Sequence, residues 1–258
     1  MRDLRFYFFG HQCPHNSYLI ARINNIAAAE NVPLSITDFT DDEETCRRLR
    51  IFSPTMLLVN EKHRLHGPFT AEQVKALLDD EGFAPTAYAV AQSDDVVEGD
   101  LIPVTPESVL KTCVPCIGSD DSGLCRGKSE WIRTRLSTSR LPHLGYLHLV
   151  DNTCVGGVEF LPSTDVPYPI PDKGKDNAFL TCSYISHDTR DVRTHPLMKL
   201  VDDLRGLGFA TLSVAASRGV VFPNGPTSWF ERKGFVDKGP LITEELHRAD
   251  IRYLQLPL

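Results

Sequence analysis

The chain has 258 residues, with 27 lysines and arginines against 34 aspartates and glutamates, for a formal charge of −7. Its 41% apolar and 24% charged content suits one large or two small folded domains and excludes wholesale disorder, which needs low hydrophobicity and high net charge. The acidic balance argues against nucleic acid, because no surplus of cations is there to neutralise phosphates. No run of about 20 apolar residues marks a membrane span.

Leu4 to Phe9 (LRFYFF) reads as a buried strand, broken by Gly10 to Pro14. Arg2, Asp3 and Arg5 around this short run do not fit a secretory signal peptide. A helix follows, with Leu19, Ile20, Ile23, Ile26 and Ala27 at helical spacing. Pro33 to Phe39 is a second strand, and Asp41 to Arg50 a short helix with its acids at the start, where the dipole favours them. Met56 to Asn60 and Lys62 to His66 form a strand and its hairpin partner. Thr70 then caps a helix running to Leu78. The order is β-α-β-α-β-β-α within the first 80 residues.

Residues 81–106 lose periodicity and carry Gly82, Pro85, Gly99, Pro103 and Pro106 beside four acids, which reads as a linker. Beyond it the expected elements are a helix at Ser129 to Arg135, strands at Tyr146 to Val150 and Val155 to Phe160, and a Pro-rich loop from Pro162 to Lys175. A strand at Ala178 to Ile185 comes next. Pro196 then starts a helix that Gly206 and Gly208 end. Phe209 to Ala215, Ser228 to Lys233 and Ile251 to Leu256 complete a mixed α and β second half. The predicted domains are therefore 1–80, a linker at 81–106, and 107–258, with an α/β (α+β) fold class.

Seven cysteines, an odd count with no secretory signal, point to a reducing, cytoplasmic setting where thiols serve redox chemistry or metal. Cys46, Cys154 and Cys182 read as small buried hydrophobes. Cys113, Cys116 and Cys125 give a C-x2-C-x8-C pattern whose first pair has zinc-ligand spacing. Metal binding, a redox pair and a structural role all stay open for this cluster. The nearby Gly123-to-Lys128 run fails as a phosphate loop, having three residues between its glycines where four are needed.

Cys13, where a strand gives way to a helix, is placed for the helix N-terminus to lower its thiol pKa. Cys13-Pro-His-Asn16, Ser53-Pro54-Thr55 and the element order together resemble the thioredoxin-like superfamily. That resemblance implies a cis Pro54 facing Cys13. Asn16 stands where a dithiol enzyme carries its second cysteine, so any exchange would be monothiol.

Trp229-Phe230-Glu231-Arg232-Lys233-Gly234-Phe235 looks like the aromatic-x-x-x-Gly-Phe signature of GNAT-fold acetyltransferases. Gly127-Lys128-Ser129-Glu130-Trp131-Ile132 and Gly157-Val-Glu159-Phe-Leu-Pro162 are similar to the GNAT subgroup associated with a YoaP-like domain. The resemblance implies acetyl-coenzyme A between two diverging strands, its pyrophosphate on the amides that open the next helix. The matching stretch, Asp188 to His195, contains no glycine. Arg190, Arg193, Thr194 and His195 are its candidate cofactor contacts, and Asp188 and Asp191 would repel an anion. Glu159 is the candidate general base, and Tyr184 with His187 would line a site for a small-molecule amine or thiol acceptor. Phe230 lies where the family's general-acid tyrosine commonly sits. Three functions follow: an acyl-CoA-dependent N-acetyltransferase-like protein, a thiol-redox or metal-handling protein, and a non-catalytic binding scaffold.

Overall fold

The computed structural model describes residues 2–81, 93–111, 122–185, 190–218, 222–244 and 249–258. Strand β1 (Leu4–Phe8) lies at the centre of a four-stranded sheet, flanked by β2 (Leu34–Asp38) in parallel and β3 (Thr55–Val59) in antiparallel; β4 (His63–His66) is the far edge. Helices α1 (His15–Glu30) and α2 (Glu43–Leu49) connect these strands, and α3 (Ala71–Leu78) follows β4. Leu19, Ile23 and Ile26 of α1 recur on one face and pack on Phe6, Leu57 and Val59. Asn31 ends α1 in the left-handed conformation that asparagine tolerates. Asp42 caps α2 through the Thr45 amide, and Thr70 and Gln73 form a reciprocal capping box on α3. The order expected for the first 80 residues is the order found.

Pro54 departs from expectation. The cis peptide bonds among the described residues are Phe222–Pro223 and Gly225–Pro226, so Ser53–Pro54 is trans. Its carbonyl accepts from the Phe9 amide at 2.9 Å, and the Ser53 hydroxyl donates to the Thr55 carbonyl at 2.7 Å. Those bonds carry the chain into β3 with the ordinary trans preference intact.

The second sheet has seven strands in the order β10-β11-β9-β8-β7-β6-β5. They are β5 (Asp100–Pro103), β6 (Gly145–Val150), β7 (Thr153–Pro162), β8 (Asn177–Ile185), β9 (Thr211–Arg218), β10 (Val236–Glu244) and β11 (Ala249–Pro257). Every pairing is antiparallel except β8 with β9, which run parallel. Parallel neighbours need a crossover, supplied by α6 (Thr194–Gly206), whose Leu197, Leu200, Val201 and Leu204 pack on Phe160, Leu180 and Val214. The remaining helices are α4 (Ser108–Lys111), α5 (Ser122–Ser139) and α7 (Thr227–Glu231). Strand β5 falls inside the stretch read as linker, and α5 runs well beyond the predicted Ser129 to Arg135. Among the described residues no helix is long and apolar enough to cross a membrane.

The two sheets share a core. Phe9 and Phe39 from the first unit pack with Trp131, Tyr168 and Phe179 from the second. Phe9 meets Trp131 and Tyr168 edge-on, each at 5.7 Å between ring centroids, a geometry worth about 1 kcal/mol beyond burial. Polar ties reinforce the seam: Lys173 pairs with Glu43 at 2.5 Å, and Arg135 with Asp41 at 3.3 Å.

Candidate functional site

β8 and β9 pair only from Asn177↔Thr211 to Leu180↔Val214. Beyond that register the two strands no longer pair with each other, while β8 stays paired with β7 and β9 with β11. The segment entering α7 spans this gap. The Asn224 side-chain oxygen accepts from the Ser183 amide of β8 at 2.9 Å, and its amide nitrogen donates to the Ala215 carbonyl of β9 at 3.3 Å. Ser217 N–H adds a bond to the Pro223 carbonyl at 3.0 Å. A carboxamide carries both an acceptor and donors, so one asparagine can satisfy two diverging strands. Its φ of 49° is one that asparagine adopts at little cost.

Asp191 lies immediately before α6. One carboxylate oxygen accepts from the amides of Arg193 (3.1 Å) and Thr194 (3.0 Å). The other accepts from the Thr194 hydroxyl (2.6 Å) and the Trp229 indole (3.0 Å), with the Lys233 ammonium at 3.4 Å. Asp191 is 6% exposed. Burial pushes its carboxyl pKa up, but the hydrogen bonds from Thr194, Trp229 and the two amides outweigh that and hold it below the usual aspartate range.

Of the four expected cofactor contacts, Arg193 and Thr194 stand beside this carboxylate. Arg193 is buried, its guanidinium 4.1 Å above the Trp229 ring and bonded to the Gly225 carbonyl at 3.1 Å. Desolvation lowers its pKa to about 10. The Thr194 hydroxyl is committed to Asp191. His195 faces His148 at 5.4 Å between rings. Arg190 is exposed. A coenzyme pyrophosphate does not fit these residues: the amides it would take are already bonded to an anion, and no glycine opens a closer approach.

Glu159 sits on β7 opposite Gly145 of β6 and Cys182 of β8. It is 1% exposed, and its carboxylate pairs at 2.5 Å with Lys128 of α5, which is 0% exposed. Lys128 also donates to the Gln12 carbonyl and lies 5.1 Å above the Trp131 ring. The pair therefore stands at the seam between the two sheets. Burial raises the Glu159 pKa, with Lys128 and Gln12 pulling against it.

Cys13 adjoins this seam. The residue is partly exposed, yet its thiol is desolvated and its pKa is pushed up to about 11. Hydrogen bonds from the His15 and Asn16 amides and the charge of Lys128 act the other way and lose, while Glu159 adds to the rise. The lowering expected from the helix N-terminus is thus outweighed. A rise from 9.0 to about 11 leaves about a hundredfold less thiolate at pH 8. Peptide-resolved iodoacetamide labelling should therefore be that much slower at Cys13 in the folded chain than in denaturant. Equal rates would contradict the desolvated setting.

Other predicted groups resolve less. Cys125 is buried on α5, whereas Cys113 and Cys116 lie outside the described residues, as do His187, Asp188 and the Tyr184 side chain. Among the described residues no group of three His, Cys, Asp or Glu is placed to hold a metal. Phe230 is buried against Trp229 and Phe235. Sequence reasoning missed Lys128, Gln12 and Asn224 as site residues. Pro-Asn224-Gly-Pro announces a turn, and Asp191 three residues before Thr194 has capping spacing, but neither signal names its partner.

No protein-family model matches the chain, and no curated protein matches it. Among solved structures it is similar to a ribosomal-protein-alanine N-acetyltransferase from Brucella melitensis, at 15% identity and a TM-score of 0.44 over 62% of this chain and 99% of that one. It is similar to the PaiA N-acetyltransferase from Thermoplasma acidophilum in complex with coenzyme A, at 11% identity and 0.39 over 62% and 98%. It is also similar to the aminoglycoside 6'-N-acetyltransferase from Enterococcus faecium, at 10% identity and 0.44 over 61% and 96%.

Proposed function

We propose that this chain is an acetyltransferase-like protein that works as a non-catalytic binding scaffold. The reading is carried by Asn224, whose side chain bridges β8 and β9 where an acyl-coenzyme A would lie in the fold its sequence resembles. Binding the coenzyme there would require breaking both bonds and moving Pro223 from the Ser217 amide. Glu159, in this reading, is one half of a buried ion pair and not a base, since it is shielded from any acceptor amine. The thioredoxin-like assignment of the first unit is supported by its β2-β1-β3-β4 order with β1 and β2 parallel. Asn16 and the high pKa of Cys13 make it a docking module and not a thiol catalyst. The experiment is a calorimetric titration with acetyl-coenzyme A. No saturable heat is expected, whereas micromolar binding with acetyl transfer to an added amine would overturn the reading.

A second reading, acyl transfer to a small amine with Glu159 as base and Tyr184 in the site, is favoured by the parting of β8 from β9 after Leu180. It requires Asn224 to leave the gap. The same titration separates the two.

A further inference from the structure

We infer that the groove between α1 and α3 is a homodimer interface, occupied by the same face of a second copy running antiparallel. This surface is remote from the seam and acts whether or not the coenzyme binds.

The strands of the first sheet alternate between two faces. Tyr7, Met56 and Leu58 turn toward the second unit, whereas Phe6, Leu57 and Val59 pack with residues of α1 and α3. These two helices therefore stand on the outer side of the molecule. Six positions of α1 are exposed: Tyr18, Ala21, Asn24, Asn25, Ala28 and Ala29. None is charged, in a chain that is 24% charged, and a water-facing surface ordinarily carries about 25–35% charged residues. Between the helices runs a groove of about 480 Å³, lined by Ile26, Ala21, Ala29 and Ala71.

Four charges also line the groove, and their arrangement selects the occupant. Arg22 donates to the Phe69 carbonyl at 2.7 Å, and Arg2 pairs with both Glu30 (3.2 Å) and Asp79 (3.1 Å). The helices thus lie side by side in the same direction, Arg22 level with the start of α3 and Glu30 with its end. Along α1 the groove carries Arg22 and then Glu30; along α3 it carries Glu72 and then Lys75. Both pairs have their midpoint near Ile26. A two-fold axis crossing the groove there lays Arg22 on the second copy's Glu30, and Glu72 on the second copy's Lys75. Each contact occurs twice, as in any isologous interface. Glu72 and Lys75 are exposed and form no ion pair among the described residues, so both are open to a partner.

The size of the face agrees. Helix α1 is about 24 Å long and about 10 Å wide with its side chains, so with α3 beside it the face covers on the order of 500 Å² per copy. A total of about 1,000 Å² lies at the lower bound of specific interfaces. It suits a reversible dimer of micromolar affinity.

The test is sedimentation equilibrium of the full-length chain across micromolar concentrations. Wild type is expected to pass from monomer to dimer. Lys75→Glu sets like charges at both Glu72 contacts and should weaken the dimer at least about tenfold. Adding Glu72→Lys to that variant swaps the pair and should restore the wild-type dissociation constant. Both positions are exposed, and circular dichroism checks that each variant is folded. A wild type that stays monomeric overturns the inference, including one whose face binds a different protein. So does a dimer that Lys75→Glu leaves intact or that the swapped pair fails to restore.

Discussion

Replacing Lys128 by methionine is expected to cost about 3–5 kcal/mol of stability in chemical denaturation, because it strands the Glu159 carboxylate without its counter-charge. Glu159 is 1% exposed and has no other ion-pair partner among the described residues. Methionine keeps an unbranched apolar stem of similar length, which limits the loss of packing while removing the charge. The double variant Lys128→Met with Glu159→Leu should recover most of the loss, since two well-packed apolar side chains can match a buried pair. A single-variant loss below about 1 kcal/mol, the worth of an exposed pair, would contradict a desolvated Lys128–Glu159 pair at the seam.

Gly145→Ala should be still more damaging. Gly145 has a φ of 135°, a region that side chains rarely adopt, and it sits directly opposite Glu159 in the β6–β7 ladder. A Cβ built there falls inside the van der Waals envelope of the Val158 carbonyl oxygen, a backbone atom that cannot rotate away. The strands must part, and the Val104 amide loses its bond to the Gly145 carbonyl. The expected loss is at least about 4 kcal/mol, seen as a collapsed melting transition or failed soluble expression. A variant that melts within a few degrees of wild type would contradict the close β6–β7 approach.

Much of the fold was legible because periodicity carries it. The first unit's seven elements each have a single clear apolar face or a turn at each end, and Thr70 and Asp42 mark helix starts by their own chemistry. Strand β10 was missed because Lys238, Gly239 and Pro240 interrupt any alternation, and its ladder carries register shifts at those points. Strand β5 is short, ends in proline, and gains its place only from pairing with β6. The start of α5 was hidden by Gly123 and Gly127, two poor helix formers ahead of the predicted start at Ser129.

The candidate site was legible in part, for a related reason. Glu159 and the loop before α6 were found as positions of interest, yet their roles depend on partners far away in sequence. Lys128 comes from α5 and Asn224 from beyond β9, and no local pattern pairs them with Glu159 or Ser183. Cys13 shows the same limit. Its helix-start position argued for a low pKa, while desolvation at a seam between sheets, invisible in sequence, pushed it the other way.

The central claim is that the chain has filled its own coenzyme position, and the amides of Ser183, Arg193 and Thr194 report on it most directly. Their hydrogen exchange should be measured across the acetyl-coenzyme A titration. The account predicts that all three are protected without coenzyme and that saturating coenzyme leaves their rates unchanged. Fast exchange that slows as acetyl-coenzyme A is added would contradict it.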